Sequence, residues 1–387
     1  MQLIEVSTPA LAKDFVEINA LLNRPFAGYI RPLDKDVINL FEPAKNKFLK
    51  EGKAIRWVLT NEAGNYIGRI AAFTHPKYHT KGDKQPTGCF GFFDCIDDQA
   101  AANLLLDAAK TWLQQQGMAA MDGPVNLGER DRWWGLTLES KDPPLYGMNF
   151  HPPFYKRLFE NYGLQVFFYQ NCWYREVRQP LDEKFFTAHQ KISKRGGFTA
   201  EMVKKDNLEK YAQDFVTIYN SAWASHEGNK EMTLDTALKI FNTMKPVMDE
   251  KIAWFAYYKG DPIAMYINLP DLNEVFRKFN GKFGLIQKLQ FLWFQKVTGF
   301  TKMVGIIFGV VPRFQGLGVD YFLIVEAAKI IQHDTRYFSA ELQWQGDFHP
   351  KMNNISKNLG FTQSRLLATY RYLFDRSQPF ERHPMLS

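Results

Sequence analysis

Residues 303–334, MVGIIFGVVPRFQGLGVDYFLIVEAAKIIQHD, join an apolar strand to an amphipathic helix through a glycine-containing turn. No other stretch constrains the fold as much. Met303 to Val311 is almost wholly apolar and rich in Val and Ile, as expected of a strand buried on both faces, and Pro312 then removes a ladder donor. From Val319 the period changes. Val319, Phe322, Leu323, Ala327, Ile330 and Ile331 fall on one helical stripe, opposite Asp320, Lys329 and Gln332. Between them Gln315-Gly316-Leu317-Gly318 can fold tightly because glycine carries no Cβ, leaving consecutive backbone N–H groups pointed at whatever sits on the helix N-terminus. A diphosphate suits that position; a structural turn without ligand is the competing reading.

Other glycine motifs fail on particular residues. A Walker A loop needs Lys-Ser/Thr after its last glycine, where Val319-Asp320 stands, and a dinucleotide fingerprint needs a third glycine where Tyr321 stands. Arg313-Phe-Gln-Gly316-Leu-Gly318 after a strand ending in Val-Pro resembles the acyl-CoA pyrophosphate loop of the GNAT superfamily of N-acyltransferases.

The 387 residues favour two domains. Cys89, Cys95 and Cys172 are unclustered and lack metal-ligand spacing, which predicts buried packing residues, a reducing compartment and no metal. The N-terminal stretch reads as no secretion signal and no apolar run is long enough to span a bilayer, so a cytoplasmic protein is expected. A net charge of +7 suits an anionic cosubstrate but is too diffuse to argue for nucleic acid.

The second half reads as a strand (198–203), two helices (208–223 and 234–248), a hairpin turning at Lys259-Gly260-Asp261-Pro262, the strand and helix described above, a strand near 337–344, a helix at 353–358 and a last strand at 365–374. The order β-α-α-β-β-β-α-β-α-β is the GNAT order. The first half repeats the plan: a hairpin around Asn61-Glu-Ala-Gly64-Asn, a strand at 89–93, a helix at 100–116, a strand at 119–126, and Phe154 to Leu164 echoing Asn358-Leu359-Gly360-Phe361. Asp94-Cys-Ile-Asp97-Asp98 replaces its glycine loop. Carboxylates there would cap the helix and repel a pyrophosphate.

Taken whole, the chain resembles tandem-GNAT bacterial proteins, through Phe90-Gly-Phe-Phe-Asp94, Met121-Asp-Gly123-Pro124-Val-Asn126, Leu269-Pro270-Asp271-Leu272-Asn273-Glu274, Gly309-Val-Val-Pro312 and Thr369-Tyr370-Arg371. The resemblance implies an α/β (α+β) fold of two GNAT-like domains, each a mixed, mostly antiparallel sheet flanked by helices. The expected division is 1–177 without a CoA loop, a linker at 178–197, and 198–387 as the acyltransferase domain. It implies transfer of an acyl group from acetyl-CoA or another acyl-CoA to an amine by direct attack. An aminoacyl-tRNA-dependent peptidyl transferase and a non-catalytic CoA sensor are the alternatives.

By the same resemblance, Gly309, Val310 and Val311 lie beside pantetheine, with the Val310 N–H facing the thioester oxygen, and Gln315, Gly316, Leu317, Gly318 and Val319 hold the diphosphate. Arg313 and Asn353 are further CoA contacts. Ser356 stands where the superfamily often has a leaving-thiol tyrosine, so Tyr370 is the candidate donor from the side. Glu341 and Asp347 are the nearest carboxylates for a base, with a surface charge as the bland reading of each. For the acceptor, the candidates are Trp223, His226 and Glu227 in the loop between the two helices, and Arg132 and Trp134, for which interdomain packing is the competing reading. The segment Phe276 to Phe300 carries Arg277, Lys278, Lys282, Lys288 and Lys296 with no carboxylate inside it, which permits a membrane-surface contact or an acceptor lid; a helical arm packed on its own domain is the alternative.

Overall fold

The computed structural model describes residues 1–386 apart from 77, 79–84, 129–132 and 225–230, and the side chains of 223 and 224 are likewise left aside. The first half runs β1 (Gln2–Glu5), α1 (Pro9–Asn23), α2 (Asp34–Leu40), β2 (Lys53–Thr60), β3 (Tyr66–Thr74), β4 (Thr87–Cys95), α3 (Gln99–Gln115), β5 (Ala120–Gly123), β6 (Leu136–Ser140), α4 (Tyr155–Tyr162) and β7 (Gln165–Glu176). Helix α5 (Glu183–Arg195) leads into the second half. There follow β8 (Phe198–Met202), α6 (Leu208–Tyr219), α7 (Leu234–Met244), β9 (Ala253–Tyr258), β10 (Asp261–Pro270), α8 (Asn273–Phe276), α9 (Leu285–Trp293), β11 (Lys302–Val310), α10 (Val319–Ile331), β12 (Ser339–Gly346), α11 (Pro350–Asn358) and β13 (Thr362–Leu373).

The described strands form one 13-stranded sheet that crosses both halves, in the order β1-β2-β3-β4-β5-β13-β7-β12-β11-β10-β9-β8, with β6 also on β13. The closing strands are exchanged. β13, last in the chain, pairs antiparallel with β5 and β6 of the first half, and β7, last of the first half, pairs antiparallel with β12 of the second. The two exchanged strands pair with each other from Thr362–Tyr174 to Arg371–Gln165, which seals the halves into one sheet. Between the halves, Trp134, Leu145, Met148 and Cys172 pack on Val304 and Leu367. All three cysteines are buried.

Each half carries a parallel pair inside its sheet, β4 with β5 and β11 with β12. In the first half Asp98 caps α3, its carboxylate accepting from Ala101 N at 2.8 Å. Asp94 is buried and pairs with Arg69 Nε at 2.6 Å. The stretch 178–197 read as a linker is mostly α5, which lies along α10: Phe185 meets the Tyr321 ring, and His189 Nε2 sits 2.5 Å from Glu326.

Candidate functional site

The site begins with a strand that lets go of its neighbour. β11 pairs with β10 over most of its length, from Met303 to Val310, but with β12 only from Lys302 to Gly305. The β10 register shifts between Ile267 and Asn268, which face Ile307 and Gly305, so Ile306 is an extra residue bulged out of β11. Such a bulge bends the strand and leaves its residue unpaired. Beyond it β11 and β12 diverge. Gly305 makes room at the fork, since a Cβ there would lie 2.7 Å from Leu342 Cδ2.

The fork opens a cavity of about 280 Å³ between β11, β12, α10 and α11. Its wall is mainly apolar, with Ile307 and Phe308 from β11, Ile324 and Ala328 from α10, and Met352 and Ile355 from α11. This opening corrects the expectation of a strand covered on both faces: Ile306 is 37% exposed because one flank of β11 faces the fork.

The turn after β11 is tight and opens a helix, as the glycines imply. Pro312–Phe314 make one 3-10 turn, Gly316 and Gly318 take φ of +71° and +91°, and α10 starts at Val319. The left-handed conformations explain both glycines. A Cβ on Gly316 would meet nothing within 4 Å, so the turn faces open space, whereas one on Gly318 would lie 3.4 Å from Ala188 of α5. Val311 N donates to Ile263 O at 2.9 Å, and the alternation of an antiparallel ladder then turns the N–H groups of Phe308 and Val310 toward the fork. Gln315 Nε2 holds Val310 O at 2.9 Å, and Leu317 is exposed. Arg313 is also exposed, 4.0 Å from Asp261. Asp320, in the first helical turn, brings a carboxylate to the same end; burial raises its pKa although the N–H groups of Tyr321 and Asp320 oppose the rise. Of the residues from Gly309 to Val319, Arg313, Gln315, Gly316 and Leu317 are exposed at the turn, whereas Gly309 and Val319 are buried and none of the eleven lines the fork cavity.

Ser356 lines the cavity and is bonded to the Gln345 amide at 2.8 and 3.0 Å. Glu341 is not there. Its neighbours Ala340 and Leu342 line the cavity, and strand alternation turns Glu341 to the other face. It is fully buried, with Arg365 Nε at 2.6 Å, Ser364 Oγ at 2.8 Å and Lys302 Nζ at 3.4 Å. The cluster spans β11, β12 and β13, and removing one partner would leave a buried charge uncompensated. Tyr370 is absent from the cavity as well. Strand exchange carries it beside Gly123 in the first half, where it packs on Phe159 and donates to Glu160 at 3.3 Å. Asn353 is used within the fold, donating to Gly346 O and His349 O and accepting from Asn171. Asp347 accepts from Tyr169 N and meets Arg382.

Trp134 is buried between the halves and offers no open face to an acceptor. Trp223 lies in the π-helical turn Asn220–Ala224, its side chain outside the described set; His226, Glu227 and Arg132 fall outside the described residues.

Two wall residues escaped the sequence reading. Arg175, on β7, is buried and donates to the carbonyls of Leu359, Gln179 and Pro180, with no carboxylate partner among the described residues. Tyr266, on β10, lies within reach of that charge, but burial outweighs it and raises the phenol pKa. Neither belongs to a motif, and the β7–β12 pairing that brings Arg175 to the fork is a long-range event. Among the described residues, no group of three or more His, Cys, Asp or Glu side chains is placed to hold a metal.

In the first half the equivalent fork is closed. β4 and β5 pair only from Thr87 to Cys89, and Val125 then fills the gap, its N–H donating to Phe90 O at 3.0 Å. Gly91 permits this, because a Cβ there would lie 1.8 Å from Val125 O.

An exchanged two-half sheet with one open fork and one glycine turn defines a tandem GNAT fold. It matches a tandem GNAT protein from the clavulanic acid biosynthesis pathway over 98% of this chain and 99% of that one, with a TM-score of 0.56 at 8% identity. A GCN5-related N-acetyltransferase from Sphaerobacter thermophilus matches over 98% and 97%, with a TM-score of 0.51 at 11% identity. In sequence, the chain is 24% identical over 381 residues to a bacterial ceramide synthase of Caulobacter vibrioides, spanning 96% of this chain and 97% of the relative. No protein-family model matches.

Proposed function

We propose that the chain is an N-acyltransferase that moves a long-chain acyl group from acyl-CoA to the amine of a long-chain amino alcohol. The observation that carries this reading is the mainly apolar wall of the open fork beside the glycine turn, a cavity of about 280 Å³ lined by Ile, Phe, Leu and Met side chains that suit a hydrocarbon chain. The full-length similarity to a ceramide synthase supports it, since a ceramide is a long-chain amino alcohol acylated on nitrogen.

The N–H groups of the turn and of the α10 end would hold the diphosphate, and those of Phe308 and Val310 would polarise the thioester carbonyl. The thioester supplies an activated acyl group. A neutral amine attacks the carbonyl carbon, the C–N bond forms, the C–S bond breaks, and a proton leaves the nitrogen as the thiolate gains one. Ser356 and Tyr266 carry the hydroxyls among the cavity-lining side chains, and in this reading they would relay that proton.

The test is turnover of acyl-CoA of graded chain length with sphinganine, followed as amide by mass spectrometry. Ala328→Phe, which fills the cavity wall, should lower long-chain turnover by about tenfold or more while sparing short chains. No amide with any acyl-CoA, or an unchanged length profile in the variant, would reject the reading.

A further inference from the structure

The arm between β10 and β11 presents an apolar strip to solvent. Helix α9 continues through the π-helical turn Phe294–Thr298 and ends at Gly299, where φ is +73°. Leu285, Ile286, Leu289, Leu292, Trp293 and Val297 are each between 50% and 75% exposed. Their spacing, i, i+1, i+4, i+7, i+8 and i+12, places them on one helical face. The opposite face is anchored: Phe291 and Phe294 are buried against Phe276, Phe283 and Phe300. The strip is therefore held outward by a packed core, not by a loose segment.

A soluble monomer rarely exposes so many large apolar side chains together. The charges around the strip identify what covers it. Lys288 lies three residues after Leu285 and Lys296 three after Trp293, both exposed, and Lys282 and Lys278 precede them. From residue 275 to residue 300 there is no Asp or Glu, and none of these lysines has a carboxylate ion-pair partner among the described residues. An apolar face with Trp and Leu, bordered by the exposed Lys288 and Lys296, matches a helix lying in the interface of an anionic bilayer. No helix of the described residues is long and apolar enough to cross a membrane, so the contact is peripheral.

We infer that the α9 arm docks this protein on anionic lipid bilayers, with Leu289 and Trp293 entering the acyl boundary and Lys288 and Lys296 meeting the headgroups. The inference does not rest on the acyl-transfer reading, because a chain without transferase activity would bind equally.

The experiment is cosedimentation of the full chain with phosphatidylcholine vesicles containing about one third phosphatidylglycerol, against pure phosphatidylcholine. The protein should pellet with the anionic vesicles, and binding should fall by about tenfold or more on pure phosphatidylcholine, in L289E/W293E and in K288E/K296E. All four positions are solvent-exposed, so thermal unfolding of both variants should match the parent and rule out misfolding as the cause of lost binding. Protein that stays in the supernatant with anionic vesicles, or L289E/W293E that pellets like the parent, would overturn the inference. So would sedimentation velocity showing a dimer that L289E/W293E dissociates, which would assign the strip to a second copy of the chain.

Discussion

Asp271 is buried where the halves meet, and its Oδ1 accepts from Tyr146 N at 3.2 Å and Asn273 N at 3.1 Å. Asn273 in turn donates to Pro144 O at 2.9 Å, so the pair stitches the turn after β10 to the first half. Burial pushes the Asp271 carboxyl up to about 6, against the two N–H groups and Lys302, which pull it down. The folded value lies above the unfolded one, near 4, so the folded state holds the proton more tightly. Its contribution is therefore fully present below about pH 4 and is lost as pH rises toward about 6. Asp271→Asn keeps the acceptor and removes the buried charge. Urea unfolding should show the variant gaining about 1–3 kcal/mol on the parent between about pH 4 and pH 7, with the gap growing as pH rises. A gap that shrinks with pH would mean that the N–H bonds, not desolvation, govern this carboxyl.

At the scale of elements, the two forks are built alike and finished differently. A bulge at Ile306 and the small Gly305 open one. Gly91 lets the Val125 backbone plug the other, and Asp98 occupies the helix end that would face a diphosphate. The expectation is a single acyl-CoA site per chain. Calorimetry with a long-chain acyl-CoA should give unit stoichiometry for the parent and no binding for Gly316→Asp. The substituted side chain enters open space at φ +71°, so the fold should lose only about 1–2 kcal/mol while the cradle gains a negative charge. Two equivalent sites would reject the plugged fork, and unchanged affinity in Gly316→Asp would make the turn structural.

At the scale of the molecule, each half lacks a strand that the other supplies. β13 lies between β5 and β7 and also carries β6, so without it the first half would expose edges of all three strands and the core face that Leu367, Ala368 and Tyr370 cover. Open edges and bare apolar faces favour aggregation over folding. Residues 1–177 and 178–387 expressed apart should each fail to show a cooperative unfolding transition, while the whole chain unfolds cooperatively. A fragment that melts cooperatively by itself would show that the exchange is dispensable.

Local chemistry was legible in the residues themselves. The strand, glycine turn and helix at 303–331, the Asp-capped helix α3 and the second-half order of elements follow from hydrophobic period, turn residues and caps, which act over a few positions. The partners of distant strands were not legible, because pairing across the sheet depends on contacts between residues tens to hundreds of positions apart. The exchange of β7 and β13 alone moved Tyr370 into the first-half core and brought Arg175 to the fork, while β12 alternation placed Glu341 in a buried ion cluster behind the cavity wall. Trp134 was drawn into the seam for the same reason, since Val304 and Leu367 reach it from elements more than a hundred residues away. The sequence by itself determined the strand, glycine turn and helix at 303–331; only the tertiary structure decided which side chains surround the fork, because sheet order, not chain order, sets who stands beside it.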